Sequence, residues 1–262
     1  MLQEPGLRYY APQESLEEMD MTLIVTIKTN DCIVLAADGM AYAARDGSNT
    51  PYPVQKLHVA NDAWVFGFAG YAGPAPIHKE VEAEIAAGKL KFDGNLDMSA
   101  RAYFEAICER LEKTYVPPNL KGTMILAGRG NDGLVIRTAE LCKVENRLTF
   151  TFLEGPCEAI GYGAKWMTAK ALIDMFMDCC STPDALAELA TFSIWRVALQ
   201  ELVIGRMEND YEISVCVLTL DTAQPSIKRL PVQQTLKRMH KWKKKLERAC
   251  SIFLASASST AR

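Results

Sequence analysis

The sequence predicts an α+β protein built as a four-layer αββα sandwich, two sheets face to face with a helix pair on each outer side. Three observations carry this expectation. The hydrophobic period changes along the chain in the order strands, two helices, strands, two helices, strands. Hairpin signals dominate the strand-rich parts, against the strict βα alternation that a doubly wound parallel sheet requires. The run with Trp64, Val65, Phe66 and Phe68 is apolar on both faces and needs cover on both.

Residues 1–21 read as an N-terminal extension. Glu4, Glu14, Glu17, Glu18 and Asp20 stand against Arg8, Pro5 and Pro12 break any helix, and the apolar stretch of a secretory signal is missing. A domain over 22–230 follows. Its β-rich runs Leu23 to Ile27 and Ile33 to Ala37 flank a Thr-Asn-Asp-Cys turn signal, a hairpin with Thr22 at one end and Asp38 at the other. Gly39 to Pro53, with Gly47, Ser48, Asn49 and two prolines, reads as a loop. Lys56 to Ala60 and Ala63 to Ala69 form a second strand pair around Asn61-Asp62.

From Pro74 the period becomes helical, and the run through Ala87 ends at Gly88. Asp97 to Tyr115 is the second helix, with Ala100, Phe104, Ile107 and Leu111 on one face and Pro117-Pro118 as its stop. Four short strands are expected over Thr123 to Ala127, Gly133 to Thr138, Arg147 to Leu153 and Glu158 to Gly161. A helix over Ala164 to Asp178 comes next. Thr182 caps another that has Pro183 in its first turn and runs to about Val203, and a β-branched strand spans Tyr211 to Leu220. Residues 231–262 read as a basic C-terminal helix and tail, with Val232, Leu236, Met239 and Leu246 near one face and Trp242 beside them.

Composition bounds the function. At 262 residues and 49% hydrophobic content the chain can bury a sizeable core. Its net charge is −3, yet Lys228 to Arg248 carries nine Lys or Arg against Glu247, a local +8 that leaves −11 on the remainder. No aromatic platform accompanies that basic segment, which argues against nucleic-acid binding. A solvated cationic face over a packed stripe, or docking on an acidic neighbouring subunit, accounts for it. The eight cysteines show no CxxC spacing and read as reduced thiols, and Cys179-Cys180 lacks a His or Cys at partnering distance, so no metal site and no cofactor are expected. No run approaches a membrane span, and a cytoplasmic protein is the expectation. His58, His78 and His240 are scattered and read as structural.

Gly128-Arg129-Gly130-Asn131-Asp132-Gly133 spells a dinucleotide-binding GxGxxG, but Leu134 to Thr138 after it reads as a strand. A phosphate-cradling loop must open into a helix, so a plain hairpin turn is expected.

The sharper constellation is Thr22, Asp38, Lys56 and Gly70. Thr22-Leu-Ile-Val, Asp31 in the turn, Val34-Leu-Ala-Ala-Asp38, Gln55-Lys56-Leu and Phe68-Ala69-Gly70 resemble the proteasome β-type family of N-terminal nucleophile hydrolases, including the bacterial subunits paired with an AAA+ unfoldase. The resemblance covers Thr22 to Leu220 and is densest in the opening stretch. It implies the four-layer fold of that class and a threonine endopeptidase that cleaves unfolded polypeptide inside a homo-oligomeric ring or helical stack. Thr22 is then the nucleophile and its own α-amino group the base, with a reference pKa of about 7.7–8.0. Lys56 favours the neutral amine, Asp38 holds Lys56, and the Gly70 N–H serves the oxyanion. Ala41, Phe68 and Ala72 are implied around the pocket for the residue before the cleaved bond, with small or medium apolar side chains preferred.

Four places depart from the family pattern. Tyr162 stands in the Gly-Ser-Gly setting, Gln200-Glu201 and Ile204-Gly205 replace Arg-Asp and Ser-Gly, and Met21 replaces the usual glycine. Glu201 can substitute for the aspartate; Ile204 supplies no hydroxyl. A catalytically inactive proteasome-like subunit is the competing class, and an amidohydrolase acting on a small amide shares the chemistry. Translation starting at Met21, followed by methionine removal, would expose Thr22.

Overall fold

A computed structural model of the chain describes residues 22–45, 48–60, 63–70, 74–89, 96–113, 121–144, 147–153, 159–161, 164–200, 213–221 and 226–230, together with 233–234, 237–238, 240–245, 247–248 and 251. The strands are β1 (Leu23–Lys28), β2 (Cys32–Ala37), β3 (Met40–Arg45), β4 (Ser48–Pro53), β5 (Leu57–Ala60), β6 (Trp64–Gly70), β7 (Lys121–Gly130), β8 (Gly133–Val144), β9 (Arg147–Phe152), β10 (Ala159–Gly161), β11 (Ile213–Thr219) and β12 (Ser226–Leu230). The helices are α1 (Pro74–Ala86), α2 (Leu96–Leu111), α3 (Ala164–Phe176) and α4 (Pro183–Gln200), with a 3-10 turn at Met177–Cys179. The molecule is therefore α+β, with all strand pairs antiparallel.

One sheet has the order β10-β1-β2-β11-β12 and the other β5-β6-β7-β8-β9. The opening hairpin has the expected register, Ile24 opposite Ala37 and Lys28 opposite Ile33, and the Thr29 N–H donates to the Cys32 carbonyl to close the turn. The GxGxxG stretch is a tight turn: Gly130 pairs with Gly133 across Asn131-Asp132, and Gly133 has φ +124°. That left-handed value suits glycine alone, and a strand follows it rather than a helix.

Side chains alternate across each strand, which separates three cores. Leu23, Val25, Val34 and Ala36 pack with Ile173, Phe176, Leu189 and Ile194 of α3 and α4. Trp64, Phe66 and Phe68 pack with Ile77 and Val81 of α1 and Phe104 and Ile107 of α2. Between the sheets, Ile24, Leu35 and Ala37 meet Val65, Ala69, Ile125 and Ala127. Gly67 marks a close approach there, since a Cβ on it would lie 3.0 Å from Ile24 Cδ1 and 2.8 Å from Ile125 Cγ2.

Helix ends follow their local chemistry. At the end of α1, Gly88 has φ +69°, its N–H donates to the Ile85 carbonyl, and the Lys89 N–H donates to the Glu84 carbonyl. This is a Schellman closure, and it satisfies carbonyls the helix leaves unpaired. Thr182 caps α4 by accepting from the Ala185 N–H at 3.2 Å. The described residues of 233–251 are helical, and Trp242 of that stretch is buried in the first core.

Two expectations are corrected. Gly39 to Pro53 is not a loop: β3 and β4 pair from Met40 opposite Pro53 to Arg45 opposite Ser48. Pro51 and Pro53 are tolerated because among the described residues β4 pairs with β3 alone and needs no N–H on its other edge. A further strand, β12, follows β11, with Ile227 opposite Cys216 and Leu230 opposite Ile213.

Candidate active site

The site forms where the opening hairpin ends. One register step beyond Ile24 and Ala37, the Asp38 N–H donates to the Leu23 carbonyl at 3.2 Å. The Leu23 N–H donates back to Asp38 Oδ1 at 2.8 Å. Asp38 Oδ2 accepts from Lys56 Nζ, also at 2.8 Å. One carboxylate thus ties the first peptide after Thr22 to a lysine ammonium.

All three polar residues are withdrawn from solvent, Thr22 at 7%, Asp38 at 4% and Lys56 at 7% exposure. Burying two charges costs several kcal/mol each, and an apolar pair of similar size would do as well for stability. A pair kept under those terms beside a hydroxyl residue points to chemistry.

Lys56 directly precedes Leu57, whose partner on β6 is Gly67. Gly67 in turn meets Ile24 of β1. Three residues on, β6 ends at Gly70, which pairs with Gly122 and has φ +116°. The backbone there turns in a way that a side chain would strain. The structure therefore brings Asp38, Lys56 and the peptide after Thr22 together, and Gly70 ends β6, the strand that pairs with β5 just after Lys56.

The other expected site residues divide. Phe68 stands on the face of β6 turned to α1 and α2, with its ring over Gly122, where a Cβ would lie 2.4 Å from Phe68 Cζ. Ala41 belongs to β3, opposite Tyr52. Met21, Ala72, Tyr162, Glu201 and Ile204 lie outside the described residues. Tyr162 follows Gly161, and Gly161 is the partner of Leu23 on β10. Among the described residues no group of three or more His, Cys, Asp or Glu is placed to hold a metal ion. No described helix is long and apolar enough to cross a membrane.

No family model and no curated protein sequence matches the chain. Solved structures do. Anbu (ancestral beta-subunit) from Yersinia bercovieri superposes with a TM-score of 0.65 at 15% identity, over 88% of this chain and 96% of that one. The chain has a proteasome-like fold. An Anbu (Gly-1) mutant from Hyphomicrobium sp. strain MC1 gives 0.63 at 17% identity, over 88% of this chain and 99% of that one. Anbu from the same strain gives 0.60 at 17%, over 87% and 97%. The likeness to Anbu spans nearly the whole of those chains, so it covers both sheets and both helix pairs.

Sequence reasoning read His78 as structural and did not single out Tyr103. His78 Nδ1 and the Tyr103 hydroxyl share a hydrogen bond of 2.5 Å, buried in the core under α1 and α2. Burial, with His58 and Lys79 nearby, pushes His78 down to about 3 from an ordinary value of 6.5. The imidazole is neutral at neutral pH. Its place beside Ile77 and Val81 on the buried face of α1 is a signal that helical periodicity carries; the partner on α2 is not.

Proposed function

We propose that the chain is a threonine endopeptidase of the N-terminal nucleophile class, folded as the four-layer αββα sandwich to which its three cores correspond, and that it cleaves unfolded polypeptide within a ring or helical stack of its own copies. The observation that carries this reading is the Asp38 carboxylate bridging Lys56 Nζ and the Leu23 N–H, one residue from Thr22.

In this reading Thr22 Oγ attacks the scissile carbonyl while the Thr22 α-amine takes its proton. The charge on Lys56 keeps that amine neutral beforehand, and Asp38 holds Lys56 and the Thr22–Leu23 peptide in one orientation. The oxyanion of the tetrahedral intermediate accepts from the Gly70 N–H, an interaction worth about 3–4 kcal/mol in comparable sites. The leaving amine recovers the proton, and water then hydrolyses the Thr22 ester. Tyr162 and Glu201 are proposed supports for the α-amine, and Ala41, Phe68 and Ala72 the walls of the pocket before the cleaved bond. An AAA+ unfoldase is the partner that a closed chamber requires.

Because an amide nitrogen cannot act as the base, Thr22 works only as the first residue. Hydrolysis of a fluorogenic peptide by a chain that begins at Thr22, and none by a chain that keeps residues 1–21, is the expected result. Equal turnover by both would overturn the role of the α-amine. Tyr162 in place of the family's serine, and Ile204 in place of a hydroxyl residue, favour the second reading of an inactive subunit. Absence of turnover from both chains would support it.

A further inference from the structure

We propose that the hydrogen-bonded pair His78–Tyr103 is a positioning device that fixes the direction of the Gly70 N–H. The inference rests on the reading of Gly70 as the oxyanion donor. The pair sits among the apolar side chains Phe66, Ile77, Val81, Phe104 and Ile107. His78 is 3% exposed and Tyr103 fully buried.

The ring of His78 stacks on Phe66 of β6, with centroids 5.1 Å apart and planes at 11°. It also lies 4.8 Å from the ring of His58 on β5. Tyr103 of α2 approaches the same Phe66 at 5.7 Å. One imidazole therefore joins α1 to β5, β6 and α2.

Gly70 lies between the two segments so joined. Phe66 is four residues before it on β6, and His78 is eight residues after it on α1. A glycine has no side chain to anchor its own orientation, so the direction of its N–H is set by the pairing of β6 with β7 and by the chain on either side. Two leucines or a leucine and a phenylalanine would fill the core without the cost of burying polar atoms. What they lack is direction. A buried hydrogen bond holds α1 at one rotation and one height against α2, which dispersion contacts among similar side chains do not. A polar pair kept under the strand that ends at Gly70 is the kind of local departure that function explains.

The test separates position from stability. Tyr103→Phe deletes one oxygen, and the double variant His78→Leu/Tyr103→Phe replaces the polar pair by an apolar one. For each, kcat and KM on a peptide substrate, Tm, and hydrogen exchange of the segments around Gly70 are measured against the unaltered chain. The expected result is a Tm within a few degrees, a kcat lowered about tenfold with KM unchanged, and faster exchange confined to β6 and α1. An unchanged kcat with unchanged exchange would overturn the proposal and leave Thr22 chemistry untouched. Where the unaltered chain shows no turnover, the catalytic reading fails by itself, and exchange decides: acceleration confined to β6 and α1 supports the clasp, and none refutes it. If the double variant does not fold, Tyr103→Phe alone carries the same readouts.

Discussion

Asp38 shows how much one carboxylate organises at the residue scale. Its two oxygens are divided between Lys56 Nζ and the Leu23 N–H, each at 2.8 Å. Replacing Lys56 by methionine keeps most of the volume and leaves Asp38 buried without its cation. The expected outcome is a loss of peptide turnover of at least about a hundredfold, read in a fluorogenic assay. Breaking a buried pair from one side also costs about 3–5 kcal/mol, which denaturant unfolding measures. His78 gives a second prediction. Its value near 3 in the folded chain lies below the ordinary 6.5, so between those limits the unfolded state binds the proton and the native state does not. That contribution to stability is complete above pH 6.5 and is lost as the pH falls towards 3. A series of Tm values over this window falls, and the fall is shallower in His78→Leu/Tyr103→Phe than in the unaltered chain.

The hairpin between Thr22 and Asp38 and the strand pair from Lys56 to Gly70 were legible in the sequence because local turn signals set both. The roles of the four residues rest on the family resemblance and belong to the proposal. His78 and Tyr103 are 25 residues apart on different helices, and only the packing of α1 on α2 over Phe66 makes them partners. No short-range pattern encodes such a contact.

The same distinction holds for whole elements. The opening hairpin, both helix pairs and the turn at Asn131-Asp132 follow from period, caps and glycine placement. β3 and β4 were read as a loop because prolines and small polar residues report local preference, whereas pairing along a free edge tolerates them. β12 was hidden by Lys228 and Arg229, charges of the kind that protect an edge strand rather than exclude it. The basic C-terminal stretch is anchored more firmly than its charge suggests. Trp242 is 1% exposed, 5.6 Å from the Phe176 ring and 5.8 Å from the Phe192 ring, and Lys245 lies over it at 4.5 Å. Lys241 pairs with Glu188 of α4 at 3.1 Å. Trp242→Ala is expected to cost about 3–5 kcal/mol, measured by denaturant unfolding. A change below about 1 kcal/mol would mean that the stretch is not part of the core.

At the scale of the molecule, the two antiparallel sheets meet through Ile24, Leu35, Val65 and Ile125, and each packs with a helix pair. The likeness to Anbu is one of fold, and it leaves the chemistry to the site. The proposed function makes a narrow claim: that the hydroxyl of Thr22, freed as the first residue, does the work that Asp38, Lys56 and Gly70 prepare. Comparing peptide hydrolysis by a chain beginning at Thr22 with that of the same chain carrying Thr22→Ala tests this most directly. Turnover by the first and none above background by the second is the predicted result; equal turnover by both would contradict it.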